Sequence, residues 1–223
     1  MIENHIKIDD ILIKEPRLLI DWKGSEGVIE NHIKDSFNRI CTELTKLNID
    51  TRLVMIPLKL YNGEIYNNQI GNWVKAQTRN RVKRLVIKTD APAPHDFKIY
   101  LDGSDNGVTN NQQLVTLVIN TNYTTATFAT EYKFYRFRVE SESALNLMTN
   151  IYLCETSFDD LIVYKTLENF FVGKYRVESD GFLSKAQFYK NKFDTELETL
   201  TFAYDLNNEN DTKIKSTIIR VGL

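Results

Sequence analysis

The set of oxygen ligands that comes nearest to a metal-binding pattern is Asp102-Gly-Ser-Asp-Asn-Gly107, which overlays the opening of a calcium loop. Asp102, Ser104 and Asn106 take the first, third and fifth places, and Gly107 takes the sixth. The twelfth place is Gln113, where a bidentate Glu belongs, and no helical pattern flanks the run. A hairpin turn is the better reading. Asp205-Leu-Asn-Asn-Glu-Asn-Asp211 is also rich in oxygens, but it lacks a glycine for the sharp turn and reads as a solvated tail.

Other chemistries find less to work with. His5, His32 and His95, with the distant Cys41 and Cys154, give no zinc-ligand spacing. No serine sits in a G-x-S-x-G turn, and the scattered glycines form neither a phosphate loop nor a dinucleotide fingerprint. His32 falls one position off an apolar helical stripe and reads as a structural histidine. No pair of residues suggests an acid and its base. The expectation is a protein that is not an enzyme and carries no metal or cofactor.

Two features could bind without reacting. Lys75, Arg79, Arg81, Lys83 and Arg84 put five cations in ten residues beside Trp73. They could meet DNA backbone or an acidic protein surface, or form a solvated strand face. Aromatic residues along Tyr132–Val139 could form a platform for sugars, although packing in a sandwich core accounts for at least half of them.

The elements that must position these residues change in period along the chain. Ser25 can cap a helix whose stripe is Ile29, Ile33, Phe37, Ile40, Leu44 and Leu47. An earlier short turn begins near Asp9 or Asp10 and stops before Pro16. From Leu53 the pattern becomes β-prone, with an Asn62-Gly63 turn signal and further runs at 84–88, 97–101, 113–119, 123–128, 132–139 and 150–154. Helical spacing returns with Phe158, Leu161, Ile162, Leu167, Phe170 and Phe171, apolar on most sides and ending at Gly173. Ser179 or Asp180 caps a second helix with Phe182, Ala186, Tyr189, Phe193 and Leu197 inside and Lys185, Lys190, Lys192 and Asp194 outside. The fold class expected is α+β: residues 1–50 and 155–204 form one split helical domain, interrupted by an antiparallel β-sandwich or barrel at 51–154. Residues 205–223 would be an extended tail.

Composition sets wide bounds. With 42% hydrophobic and 11% aromatic residues among 223, the chain is an ordered globular protein. Its 28 basic and 30 acidic residues give a net charge of −2, with no global pull toward nucleic acid or membrane. The first residues lack a signal-peptide pattern, no apolar run could span a bilayer, and the two cysteines read as free thiols of a reducing cytoplasm.

The flanking helical parts resemble the head–tail connector (adaptor) proteins of tailed bacteriophages. The resemblance rests on the helix Phe158–Phe171, its break, the helix Phe182–Leu200 with its KNKFDTELETL text, and the acidic turn Tyr204–Asp211. Asp9-Asp-Ile-Leu and the helix Val28–Leu47 fit the family's opening helices. The resemblance implies a virion structural protein at the neck, assembled in the host cytoplasm as a ring, commonly of twelve subunits. Such a ring docks on the portal protein, extends the DNA channel with passing contact to DNA, and receives the next tail or neck protein. Ile214, Ile218, Ile219 and Val221 would be the portal-binding tail, adding a strand to an exposed edge. The β-rich insertion at 51–154 departs from the plain family form. A glycan-binding or adhesion module built on that insertion is the alternative. A metal-dependent enzyme using the Asp-rich turns is a third.

Overall fold

The computed structural model describes residues 4–46, 51, 55, 57–76, 82–109, 112–143, 145–175, 181–204 and 215–218. It is an α+β protein with mixed helices and antiparallel sheets, and the chain divides into two compact units.

The helical unit is built from Glu3–Thr51 and Ser157–Thr201. Its helices are α1 (Ile8–Lys14), α2 (Leu18–Asp21), α3 (Glu26–Lys46), α4 (Asp159–Tyr175) and α5 (Gly181–Thr199). The Asp10 carboxylate accepts the Lys7 backbone N–H at 2.9 Å and so ties down the start of α1. The helix stops at Lys14, two residues before Pro16. At the start of α3 the Ser25 carbonyl accepts the Ile29 N–H at 2.9 Å. Ile29, Ile33, Phe37, Ile40 and Leu44 are buried, as their spacing predicts; Leu47 lies outside the described residues.

Helix α4 is the centre of this unit. Phe158, at its entrance, and Leu161, Ile162, Val163, Leu167, Phe170 and Phe171 are all buried, and α4 packs against α1, α3 and α5. Phe171 stacks between Phe182 and Tyr189 at centroid distances of 6.3 and 5.9 Å, while Trp22 meets its edge at 6.0 Å. The helix continues through Gly173 to Tyr175. Glycine is a cheap interruption when its helix is already fixed by packing on several sides.

The β unit is built on Arg52–Thr156. Its strands are β1 (Leu58–Ile65), β2 (Val74–Lys75), β3 (Val82–Thr89), β4 (Phe97–Ser104), β5 (Gln112–Ile119), β6 (Tyr123–Ala129), β7 (Phe134–Glu140) and β8 (Leu147–Glu155). They form two four-stranded antiparallel sheets, β1-β8-β3-β6 and β2-β7-β4-β5. Of the two architectures expected, this is the sandwich, because among the described residues neither sheet closes on itself. Leu85, Ile87, Ile99, Leu101, Tyr135, Phe137, Ile151 and Leu153 meet between the sheets, each from alternate positions of its strand.

Asn62-Gly63 makes no hairpin. Both residues lie inside β1, opposite Asn150 and Thr149 of β8, just after a bulge at Lys59–Tyr61. The Tyr61 side chain folds back over Gly63, where an added Cβ would stand 3.0 Å from its hydroxyl, and donates to the Glu64 carbonyl at 2.5 Å. The glycine is there for close approach, not for a turn. A separate two-stranded sheet pairs β9 (Thr201–Tyr204) with β10 (Lys215–Ile218).

The aromatic stack makes Phe171→Ala costly. Urea denaturation should show a loss of about 3–5 kcal/mol, the usual range for emptying a packed phenylalanine site. A loss under about 1 kcal/mol would contradict the packing around α4.

Candidate functional site

The outer face of the sheet β2-β7-β4-β5 carries the most organised polar chemistry in the described residues. Strand alternation sends Tyr135, Phe137 and Val139 of β7 into the core and leaves Arg136 and Arg138 on the opposite face. Register sets Arg136 beside Asp102 of β4 and Arg138 beside Tyr100. Asp102 is fully buried, beneath the two guanidinium groups. Arg138 holds it with two charge-assisted bonds, Nε to Oδ2 at 2.7 Å and Nη2 to Oδ1 at 2.9 Å. Arg136 adds Nε to Oδ2 at 3.3 Å.

Each guanidinium also has an aromatic neighbour. Arg136 lies 4.4 Å from the centroid of Trp73, and Arg138 lies 4.9 Å from that of Tyr100. Gln113, across a bulge in the β4–β5 ladder, accepts from Arg138 Nη2 at 2.9 Å. The Tyr100 hydroxyl donates to Glu140 at 2.7 Å, and that bond, with Lys98 and Arg138 nearby, holds the Glu140 carboxyl below its usual range. Hydrogen bonding to Asp102 raises the already high pKa of Arg138.

This geometry is in keeping with the hairpin-turn reading of Asp102–Gly107. The residues form the end of β4 and the turn into β5, and the would-be first ligand is committed to two arginines. Asn106 Oδ1 accepts the N–H groups of Val108 and Thr109 at 2.9 and 3.0 Å, and Gly107 takes a positive φ of 70°. No group of three or more acidic, histidine or cysteine side chains that could hold a metal occurs among the described residues.

The sugar platform is also filled from within. Tyr135 and Phe137 are core residues. The Tyr132 ring covers Gly103, where an added Cβ would fall 2.3 Å from a ring carbon, and Phe134 covers Gly107 in the same way at 2.8 Å. With Arg136 over Trp73 and Arg138 over Tyr100, these rings already have their partners.

The three described cations of residues 75–84, Lys75, Lys83 and Arg84, do not form one surface. Arg79 and Arg81 lie outside the described residues. Lys75 is on β2, paired with Phe134 of one sheet, whereas Lys83 and Arg84 occupy opposite faces of β3 in the other. Lys83 is 2% exposed and sits 3.6 Å from Glu155, its register partner on β8. Burial lowers its pKa, against the pull of Glu155. A residue so placed cannot touch DNA. Nearby, burial pushes the Tyr135 phenol up to about 12, and its hydroxyl donates to the Tyr132 carbonyl at 2.6 Å.

Of the tail residues, Ile218 falls in β10, and Ile214, Ile219 and Val221 lie outside the described residues. Two cations on the charged side of α5 already have partners: Lys185 holds Glu15 at 3.0 Å and Lys190 holds Asp194 at 2.6 Å. Tyr189 also donates to Glu15, at 2.7 Å. Its phenol pKa is raised, chiefly by burial and then by that bond. His32 is partly buried, with its pKa lowered by that burial, and meets Phe170 edge-on at 6.4 Å. His95 and Ser141 are in contact at 2.8 Å, but the serine hydroxyl donates to the Ser143 carbonyl at 2.8 Å. His95 Nε2 must therefore be the donor, a tautomer unsuited to taking the serine's proton.

Fold and site together define an α+β protein whose sandwich presents a buried carboxylate beneath two outward arginines. No family model and no curated protein matches the chain. Among solved structures it is similar to the SPBc2 prophage-derived protein YomS, at 13% identity and a TM-score of 0.30, over 44% of this chain and 90% of that one. At that score the likeness carries no inference. No helix among the described residues is long and apolar enough to cross a membrane.

Two substitutions test the buried charges. Arg138→Met should cost about 3 kcal/mol in urea denaturation, since it strips Asp102 of its two best bonds. Lys83→Met should cost a similar amount, about 3 kcal/mol, whereas Lys83→Met with Glu155→Leu should recover most of the loss. A loss in the double variant equal to the sum of the losses from Lys83→Met and Glu155→Leu alone would show that the Lys83–Glu155 pair is not coupled.

Proposed function

We propose that this protein is a head–tail connector (adaptor) subunit of a tailed bacteriophage, a virion structural protein that forms a ring at the portal vertex. In this reading it docks on the portal, continues the DNA channel and receives the next neck or tail component. It does no chemistry of its own.

The observation that carries the reading is where the helical unit leaves apolar surface uncovered. Helix α4, apolar on most sides, does not supply that surface, because α1, α3 and α5 pack against it within the subunit. The surplus lies on the enclosing helices. Ile13 of α1 is 74% exposed, Ile20 of α2 66%, and Leu183 and Phe188 of α5 47% and 53%. Long apolar side chains on several helices of one unit fit a subunit whose surfaces are finished by neighbours. A ring needs two different faces on each subunit, and more than one such patch suits that geometry. The order and character of the helices, which resemble the connector family, name the kind of assembly.

The test is to mix the purified protein with its portal and image the complex. A ring of this chain seated on the portal is the expected result, and absence of any complex at micromolar concentrations would refute the reading. The tail has its own check. Removing residues 205–223 should abolish portal binding, and unchanged binding would exclude the tail as the anchor.

A further inference from the structure

We infer that Arg136, at the centre of the outer face of the sheet β2-β7-β4-β5, is a recognition site for a carboxylate side chain presented by a partner protein. The inference is independent of the connector reading.

Charge balance is the starting point. One buried carboxylate, Asp102, faces two guanidinium groups, and Arg138 alone satisfies it bidentately. Arg136 is therefore the surplus cation. It gives Asp102 only its Nε, and among the described residues no acceptor meets its two amino groups. A fully saturated structural arginine would have no such free edge. Here the side chain remains 22% exposed.

The free edge is also held still. Asp102 fixes the Nε side, and the Trp73 ring lies against the guanidinium at 4.4 Å. A side chain immobilised in advance loses little entropy when a ligand binds, and that entropy is one of the main costs of association. A planar guanidinium with two parallel N–H groups matches a carboxylate bidentately.

The surroundings distinguish a single carboxylate from a polyanion. Lys75, Lys98, Arg136 and Arg138 share this face with Asp102 and Glu140. Four cations interrupted by two carboxylates fall far short of the row of phosphate contacts on which nucleic-acid affinity is built, and Glu140 would repel a phosphate backbone. Apolar groups flank the charged centre: Ile70, bridged to Arg138, is 59% exposed, and Val118 is 46% exposed. Tryptophan, tyrosine and arginine bordered by exposed aliphatics form the composition of a protein-binding hot spot.

The experiment uses the full chain and follows the arginine Nε–H resonances by NMR during titration with the peptide acetyl-Leu-Glu-Leu-amide. The Arg136 signal should shift saturably in the millimolar range. The matched peptide with Gln in place of Glu should leave it unmoved. Arg136→Met should weaken the interaction by about tenfold or more, the loss of a charge-assisted pair, with the backbone spectrum retained because Arg138 still holds Asp102. Arg136→Lys should not restore it, since an ammonium lacks the fork. The inference is overturned if Glu and Gln peptides act alike or if Arg136→Met leaves binding intact. Tighter binding of inorganic phosphate or of a short single-stranded DNA would also overturn it.

Discussion

Helix α4 imposes the constraint on which the helical unit depends. A helix with apolar residues on most of its surface cannot stand at an edge in water. Segments that precede and follow it by long stretches of sequence must both come back to it. Trp22 arrives from the N-terminal side, Phe182 and Tyr189 arrive from α5, and all three converge on Phe171. The polar bonds at the periphery then fix how those segments approach. Glu15 at the end of α1 receives both Lys185 and Tyr189 from α5, and Lys14 reaches Asp160 at 3.1 Å at the start of α4. Burial of apolar side chains around α4 supplies most of the energy, and these partly buried polar contacts select one arrangement of it.

The β unit solves a different problem, that of charge placed on strands. Asp102 and Lys83 both lie where strand geometry gives them little water, and each is answered by a residue directly opposite in register. Misregistering β4 against β7 would strand a carboxylate, and slipping β3 against β8 would strand an ammonium. Buried ion pairs add little net stability, but leaving one member alone is expensive, so the pairs act as register pins. The pin at Lys83 sets one cation against one carboxylate. The one at Asp102 is over-supplied by one arginine, and that excess is what makes the outer face a candidate for recognition.

Much of this was legible in the sequence, and the failures share a cause. The stripes Ile29–Leu44 and Phe158–Phe171, and the alternation in Tyr132–Val139, are one-dimensional signals, and the structure keeps them. The misreadings concern groups whose partners are distant in sequence. The part Asp102 plays is hidden in the sequence because the two arginines that claim it lie 34 and 36 residues on. Lys83 looked like part of a basic patch because Glu155 could not be seen to face it. Asn62-Gly63 carries a turn signal, but both residues are taken into the ladder by Asn150 and Thr149 of β8, far along the chain. The pairing of an exposed Arg136 edge with Trp73 had a faint trace, aromatic and basic residues alternating on β7, but no spacing rule links position 73 to 136.

The central claim is that the exposed apolar residues of the helical unit are assembly surface. It is tested most directly by sedimentation of the purified chain with its portal, comparing the natural sequence with Leu183→Asp/Phe188→Asp. Both positions are exposed, so the double variant should keep its fold, seen as an unchanged urea midpoint, and should fail to form the ring. A variant that assembles as well as the natural chain would contradict the account.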